Sequence, residues 1–284
     1  MEINTQTQLC GLLGNPVEHS LSPAIHNAAF QKLGLNFVYL AFKVEDLEGA
    51  IRGIRALGNL RGFSVTIPHK VAVIPYLDEV EPTAGLIGSV NTIVVNKGKL
   101  TGYNTDASGA LRALEHAGTS LRGEPVLLLG SGGAARAIAF ALAMEGKIGK
   151  LTILGVDEKE RQGLAKDLQA RTPLKVEEGP IAEDTLRRGI AASRILLHCT
   201  PLGMYPKVQD TSVPAALLAP HLTVMDIVYN PLETRLLREA KTVGCRIIPG
   251  VDMFLYQAIA QFELWTGQTA PSDVMRAVLV ARFT

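Results

Sequence analysis

Charge of one sign is missing from this chain. Lys and Arg number 28 against 27 Asp and Glu over 284 residues, a formal net charge of +1. The basic footprint of a nucleic-acid or anionic-membrane binder is therefore absent, and neither partner is expected. Long apolar runs are missing too, and no uninterrupted stretch reaches the length that crosses a bilayer. The start, Met1-Glu2-Ile3-Asn4-Thr5-Gln6, lacks the basic beginning and apolar core of a secretory signal, so the cytoplasm is the expected compartment. Cysteine is sparse, and no metal-type Cys/His spacing occurs. Cys10, Cys199 and Cys245 each sit in an apolar run that reads as a strand, and they are expected as small buried hydrophobes in reducing surroundings. There is no internal repeat and no low-complexity segment.

What is present is 47% apolar residues, enough in a chain of this length to bury a sizeable core across two domains. The organising stretch is Val126 to Arg136. Its apolar start reads as a buried parallel strand. Gly130-Ser131-Gly132-Gly133-Ala134-Ala135 then matches G-x-G-x-x-G/A, with a helix expected from Ala134 to Glu145. The first glycine permits the tight turn, the second lets a pyrophosphate approach the backbone, and the small third residue lets helix pack on strand. The helix N-terminus offers unpaired N–H groups to phosphates. A dinucleotide site is expected here.

Before that turn, Leu9 to Gly14 reads as a strand, followed by His19-Ser20-Leu21-Ser22-Pro23 and a helix to Leu33. Ser22 is either an N-cap ahead of Pro23 or, with Ser20, a holder of a small polar ligand at the strand's C-terminal edge. Phe37 to Phe42 reads as a strand and Glu45 to Leu57 as an amphipathic helix. Ser64-Val65-Thr66-Ile67 alternates as a strand with one polar face, which Pro68 stops. Lys70 follows, at the start of a short helical stretch, either solvated or paired with a carboxylate such as Asp106. Ser89 to Val95, with Asn91 and Thr92, reads as a strand turning at Asn96-Lys97-Gly98-Lys99 into Leu100 to Tyr103. Thr105 or Asp106 is expected to cap a helix from Ala107 to Ala117.

His19-Ser20-Leu21-Ser22-Pro23, Ser64 to Lys70, Gly88-Ser89-Val90-Asn91-Thr92 and Gly102-Tyr103-Asn104-Thr105-Asp106 are similar in order and spacing to the substrate-domain motifs of the shikimate dehydrogenase family. The glycine turn, Thr200-Pro201-Leu202-Gly203-Met204, Asp226-Ile227-Val228-Tyr229-Asn230-Pro231 and Gln257-Ala258 extend the resemblance over nearly the whole chain. It implies an α/β protein of two domains. Residues 1–106 with 251–284 would form a substrate-binding domain with a mixed, mostly parallel sheet. Residues 107–250 would form a Rossmann-type dinucleotide-binding domain, and two crossings between them would allow a hinge that closes over ligands. It further implies reversible NAD(P)-dependent interconversion of 3-dehydroshikimate and shikimate, on the way to chorismate and the aromatic amino acids. The partner would be a small-molecule substrate, and the protein a monomer or homodimer.

By the same resemblance Lys70 is the catalytic lysine and Asp106 the aspartate beside it. Ser20 and Ser22 would hold the substrate carboxylate, and Thr66, Asn91, Tyr229 and Gln257 would complete the substrate contacts. Thr200 to Met204 would lie beside the nicotinamide, with Ile227 and Gly250 also touching the cofactor.

Two departures stand out. NADP-using members carry Asn-Arg-Thr after the second strand of the dinucleotide fold, with another Arg three residues later. This chain has Gly155-Val156-Asp157 and Glu160, so NAD is the expected cofactor and NADP the alternative. Asp157 is either the ribose ligand or the cap of the helix from Glu158 to Leu168. The second departure is His198, where the family often has Asn.

Arg194 to Cys199, Thr223 to Val228 and Arg246 to Ile248 read as further strands. Glu233 to Val243, Met253 to Trp265 and Ser272 to Phe283 read as helices. An NAD-dependent quinate/shikimate dehydrogenase is the alternative within the family, and a non-catalytic dinucleotide-binding module the alternative outside it. Lys70 and Asp106 together argue against the latter, since a pure binder needs no proton donor.

Overall fold

The computed structural model describes residues 2–282. They form two units: one holds the chain up to Thr105 and from Gln257 onward, the other runs from Asp106 to Tyr256. The first unit begins with β1 (Gln8–Gly14), α1 (Ser22–Lys32), β2 (Phe37–Lys43), α2 (Leu47–Ala56) and β3 (Leu60–Val65). It continues with α3 (His69–Ala72), β4 (Glu79–Val80), α4 (Pro82–Ile87), β5 (Thr92–Asn96) and β6 (Lys99–Tyr103). The strands form one sheet in the order β2-β1-β3-β5-β6-β4. β1 runs parallel to β2 and β3, and β4 parallel to β6, while β5 is antiparallel to both neighbours. The β5–β6 hairpin is turned by Lys97 and Gly98, both at positive φ, the twist that two-residue hairpins require. Helix α2 starts where the Asp46 carboxylate accepts the Gly49 N–H, and its Leu47, Ala50, Ile51 and Ile54 stripe packs on the sheet with Phe63, Val65 and Ile93.

The second unit contains α5 (Thr105–His116, in this unit from Asp106), β7 (Pro125–Leu129), α6 (Gly133–Ala141), β8 (Lys150–Leu154), α7 (Glu158–Arg171) and β9 (Lys175–Gly179). After them come α8 (Glu183–Ala191), β10 (Ile195–His198), β11 (Thr223–Asp226), α9 (Arg235–Val243) and β12 (Arg246–Ile248). All strand pairs are parallel, in the order β12-β11-β10-β7-β8-β9. The near-continuous leucine run of β7 is the composition of a strand covered on both faces, and Leu127, Leu128 and Leu129 are fully buried. The order reverses between β7 and β10. In open parallel sheets, that is where the crevice beyond the strands' C-terminal ends takes its ligand.

The chain then runs into α10 (Gly250–Thr266), which belongs to the first unit from Gln257, and α11 (Ser272–Val280). There Phe262 packs on Phe30 with ring centroids 5.4 Å apart. The Trp265 indole donates to the Ile93 carbonyl at 3.0 Å, lying in the space that a Cβ at Gly62 would occupy. Among the described residues no helix is long and apolar enough to cross a membrane.

Several boundaries differ from the sequence reading. Leu21, not Ser22, holds the N-cap position of α1, and no side chain caps it; Ser22 is the first helical residue. Thr105 and Asp106 both lie inside α5 rather than ahead of it. β5 begins at Thr92, because Asn91 is used at the helix end described below. Cys199 falls just after β10 and Cys245 just before β12, and only Cys10 lies in a strand. Burial pushes the thiol pKa of Cys10 up. Helix α11 stops at Val280, and Phe283 lies outside the described residues.

One core residue has a consequence for acid stability. His26 on α1 is fully buried, stacked on Tyr39 at 4.7 Å and tilted against Trp265 at 5.2 Å. Neither ring nitrogen meets hydrogen-bond geometry. Burial drives its pKa down to about 3, and nearby Gln261, which favours the charged ring, does not offset it. The unfolded chain therefore takes up a proton near pH 6.5 that the folded chain refuses. Stability from this group is complete above pH 6.5 and falls as the pH drops toward 3, by about 1.4 kcal/mol per pH unit. His26→Phe keeps the ring stack and removes the titration. Denaturant unfolding at stepped pH is expected to show a slope shallower by about one proton in the variant; equal slopes would contradict it.

Candidate active site

In the first unit, the C-terminal ends of β1, β3 and β6 and the start of β5 share one edge, as the registers Leu13 to Val65, Ser64 to Thr92 and Thr92 to Tyr103 require. The loops leaving β1 and β3 are locked together: Thr66 N–H donates to the Leu13 carbonyl at 2.9 Å and Asn15 N–H to the Ile67 carbonyl at 2.9 Å. A Cβ at Gly14 would overlap Thr66 Cγ2 and press on the Ile67 carbonyl at 3.2 Å, so a larger residue there would displace the Thr66 side chain. Ser20 and Ser22 follow β1, and the Ser20 hydroxyl accepts the Ser22 N–H at 3.3 Å. Thr66 and Lys70 follow β3. The Lys70 carbonyl takes the Val90 N–H at 2.8 Å, and the buried His69 ring bonds the Val44 carbonyl at 2.9 Å. Backbone contacts thus seat the lysine independently of its side chain.

Beneath these loops runs a buried polar chain. Tyr39 donates to Ser64 (2.7 Å), Ser64 to Gln261 (2.9 Å), and Gln261 to Thr92 (3.0 Å). Thr92 donates to Asn91 Oδ1 (2.8 Å), which also accepts the Thr105 N–H at 2.7 Å. Asn91 Nδ2 donates to the Thr105 hydroxyl at 3.0 Å. Asn91 therefore closes the N-terminus of α5 from another element, which is the role the sequence reading gave to Thr105 or Asp106. Burial pushes the Tyr39 pKa up, with the Ser64 and Ser22 hydroxyls working the other way. Gln257, buried on α10, lies one turn before Gln261 and so shares its face.

In the second unit, Asp106 lies in the first turn of α5, where the helix dipole favours a carboxylate. Gly130 has φ +110, and a Cβ there would meet the Cys199 carbonyl at 2.7 Å and Thr200 Cγ2 at 3.3 Å. Gly130 is thus required by the turn itself. Gly132 and Gly133 are different: both are exposed, and a Cβ on either would meet nothing within 4 Å. They leave an open cradle over the start of α6, where Gly132 is the N-cap and no side chain caps the helix. Ala135 is buried beneath it. Free N–H groups at a helix start behind an open glycine floor fit a dinucleotide pyrophosphate.

Across the switch point, His198 and Asp226 end β10 and β11 in register. Both are buried, with Nδ1 and Oδ1 2.8 Å apart. Thr200, Met204, Ile227 and Tyr229 follow those strand ends. Tyr229 is 40% exposed and leans on Phe254 at 5.1 Å. Gly250 opens α10, and a Cβ there would lie 2.5 Å from both the Ile227 and Val228 carbonyls. Glycine is what lets this helix start meet that segment.

After β8, Asp157 caps α7 by accepting the Glu160 N–H at 2.9 Å. The Glu160 carboxylate lies 3.4 Å from the Ser131 hydroxyl of the glycine turn. Arg161 is buried and bound to the Glu178 carboxylate and, at 3.0 Å, to the Gly155 carbonyl. The sequence reading missed Tyr39, Ser64, Gln261 and the His198–Asp226 pair as parts of this machinery. A signal existed for Ser64, on the polar face of β3, and for Gln261, at helical spacing from Gln257.

The model of the shikimate dehydrogenase substrate binding domain matches residues 12–93, and that of the shikimate 5'-dehydrogenase C-terminal domain matches residues 250–280. A shikimate dehydrogenase (NADP(+)) of Moorella thermoacetica is 49% identical, covering 98% of this chain and 95% of that protein. One of the same description from Desulforamulus reducens is 47% identical over 98% and 96%. The crystal structure of Listeria monocytogenes shikimate 5-dehydrogenase with shikimate and NAD superposes with a TM-score of 0.94, at 40% identity and 98% coverage of each chain. Given the shared edge of the first unit, the glycine cradle of the second and these likenesses over almost all its length, the chain belongs to the shikimate dehydrogenase family.

Proposed function

We propose that the protein catalyses the reversible interconversion of 3-dehydroshikimate and shikimate, with NAD(H) as the preferred cofactor. The observation that carries this is the gathering of Ser20, Ser22, Thr66, Lys70 and Asn91 on one sheet edge of the first unit, in a chain of this family. When bound, the nicotinamide ring supplies or accepts the hydride. The chain's own residues do the rest. Lys70 gives a proton to the ketone oxygen in reduction and takes it back in oxidation. Asp106, the residue after the Asn91-bound Thr105, steadies the ammonium and binds a ring hydroxyl. Ser20 and Ser22 hold the ring carboxylate with their hydroxyls, and Thr66, Asn91, Tyr229 and Gln257 complete the contacts. Gly130 to Ala135 hold the pyrophosphate, and Thr200, Met204, Ile227 and Gly250 border the nicotinamide.

The NAD preference rests on charge. Asp157 and Glu160 put carboxylates at the end of β8, and Glu160 reaches the glycine turn. Arg161 is committed elsewhere. A ribose 2′-hydroxyl can donate to a carboxylate, whereas a 2′-phosphate is repelled by it. The two curated relatives described above carry NADP(+) in their names, and the carboxylates here are the reason to expect this chain to differ. Steady-state kinetics with shikimate and quinate against both cofactors tests the proposal. Turnover of shikimate is expected, with kcat/KM for NAD at least about tenfold above that for NADP. A preference for NADP would overturn the cofactor assignment alone, and turnover of quinate but not shikimate the substrate assignment.

A further inference from the structure

We propose that His198 is a positioning residue: it hydrogen-bonds the Thr200 hydroxyl and, held by Asp226, sets the Thr200–Met204 loop beside the dinucleotide crevice. The inference rests on the proposed cofactor reading of that crevice. Asp226 is wholly buried at the end of β11. Its oxygens accept from three donors: His198 Nδ1 at 2.8 Å, the Val228 N–H at 3.1 Å and the Thr234 hydroxyl at 2.7 Å. A carboxylate can only accept, so the proton between it and the ring sits on Nδ1. Nε2 is then the ring atom left to bond the loop. The Thr200 hydroxyl lies 2.5 Å from it and completes that bond. The same hydroxyl oxygen accepts the Leu202 N–H at 3.3 Å. The hydroxyl is thereby tied both to the end of β10 and to its own loop.

Packing does not explain this arrangement. His198 is flanked in the sheet by Leu129 on one side and Asp226 on the other, and polar groups buried among leucines are costly unless fully satisfied. The Asp226 charge is felt nearby, since it joins burial in pushing the Cys199 thiol pKa up. The loop's place is fixed by contact: Thr200 Cγ2 would be 3.3 Å from a Cβ at Gly130, so the hydroxyl-bearing residue borders the glycine turn. Asp226 also anchors Val228, so one buried pair holds both segments that leave the strand ends across the switch point.

Asn in place of His keeps a donor for Asp226 but is too short to reach Thr200, so His198→Asn isolates the Thr200 contact. Thr200→Val removes the hydroxyl with little change of shape. Calorimetric titration with NADH and with ADP-ribose, which lacks the nicotinamide, separates positioning from general damage. Each variant is expected to raise the Kd of NADH about three- to tenfold and leave that of ADP-ribose unchanged. The double variant is expected to be no weaker than either single one, because the two residues act as a unit. Unchanged NADH affinity, equal losses for both ligands, or multiplicative losses in the double variant would overturn the proposal. Should His198→Asn not fold, Thr200→Val with unchanged NADH affinity would still do so. Failure of the unsubstituted protein to bind NADH or NADPH would instead overturn the cofactor reading and this inference with it.

Discussion

Replacing Lys70 by Ala is expected to lower kcat by about 10²–10⁴-fold while KM for shikimate stays within several-fold. The proton that the ammonium transfers matters most when charge builds on the substrate oxygen, so its loss falls on the transition state rather than on binding. The segment that carries Lys70 keeps its main anchors in the variant. Lys70 is seated through its own carbonyl, which takes the Val90 N–H at 2.8 Å, and through the neighbouring His69, whose ring bonds the Val44 carbonyl. Neither contact uses the side chain that is removed. Lys70→Arg restores the positive charge but holds its proton too tightly to transfer it, and is expected to stay near the alanine level. Steady-state kinetics of both variants, with thermal unfolding as the control for folding, checks this. Loss of substrate binding with turnover intact would remove the lysine from its role.

The second large effect separates two glycines of one turn. Gly132→Val is expected to leave thermal stability unchanged and to weaken NAD(H) binding by about 100-fold. Gly130→Ala is expected to destabilise the protein by several kcal/mol, of order 2–4 kcal/mol. The difference lies in what each Cβ would meet. At Gly130 it meets the Cys199 carbonyl, on a backbone with φ +110. At Gly132 it meets nothing within 4 Å, and φ is −69. A side chain at Gly132 therefore fits the protein but fills the floor on which a pyrophosphate would lie. The lost charge-assisted hydrogen bonds to the helix start, about 1.5–3 kcal/mol each, set the scale of the affinity change. Unfolding curves and nucleotide titrations of the two variants test it; nucleotide binding unimpaired in Gly132→Val would mean that the cradle is only a packing device.

These results also show where sequence stops being informative. The strand–glycine–helix of β7 and α6 is legible because its burial and its turn are both local: four apolar residues, then glycines at fixed spacing. β12, an edge strand with one buried side chain, is marked instead by Ile247-Ile248 ahead of the Pro249-Gly250 turn. β9 is not, since it is an edge strand with Val176 as its one buried side chain, so no apolar alternation marks it. The cap of α5 is illegible locally because the capping side chain, Asn91, comes from just ahead of β5, the neighbouring strand of the hairpin, 14 residues earlier. In the sequence His198 stands out only as a departure from the family's Asn, and Asp226 only as part of a motif. Only the register of β10 against β11 brings them to 2.8 Å and gives both a purpose. Asp157 is the reverse case: its cap on Glu160 was a local expectation, while the contact of Glu160 with Ser131 joins two loops and had no local sign.

The most direct test of the central claim follows the hydrogen itself. Shikimate carrying deuterium on the carbon whose hydroxyl is oxidised, incubated with the protein and NAD, is expected to give reduced cofactor labelled on the nicotinamide ring. Label released to water, or no rise in the reduced-nicotinamide absorbance with either NAD or NADP, would contradict the account.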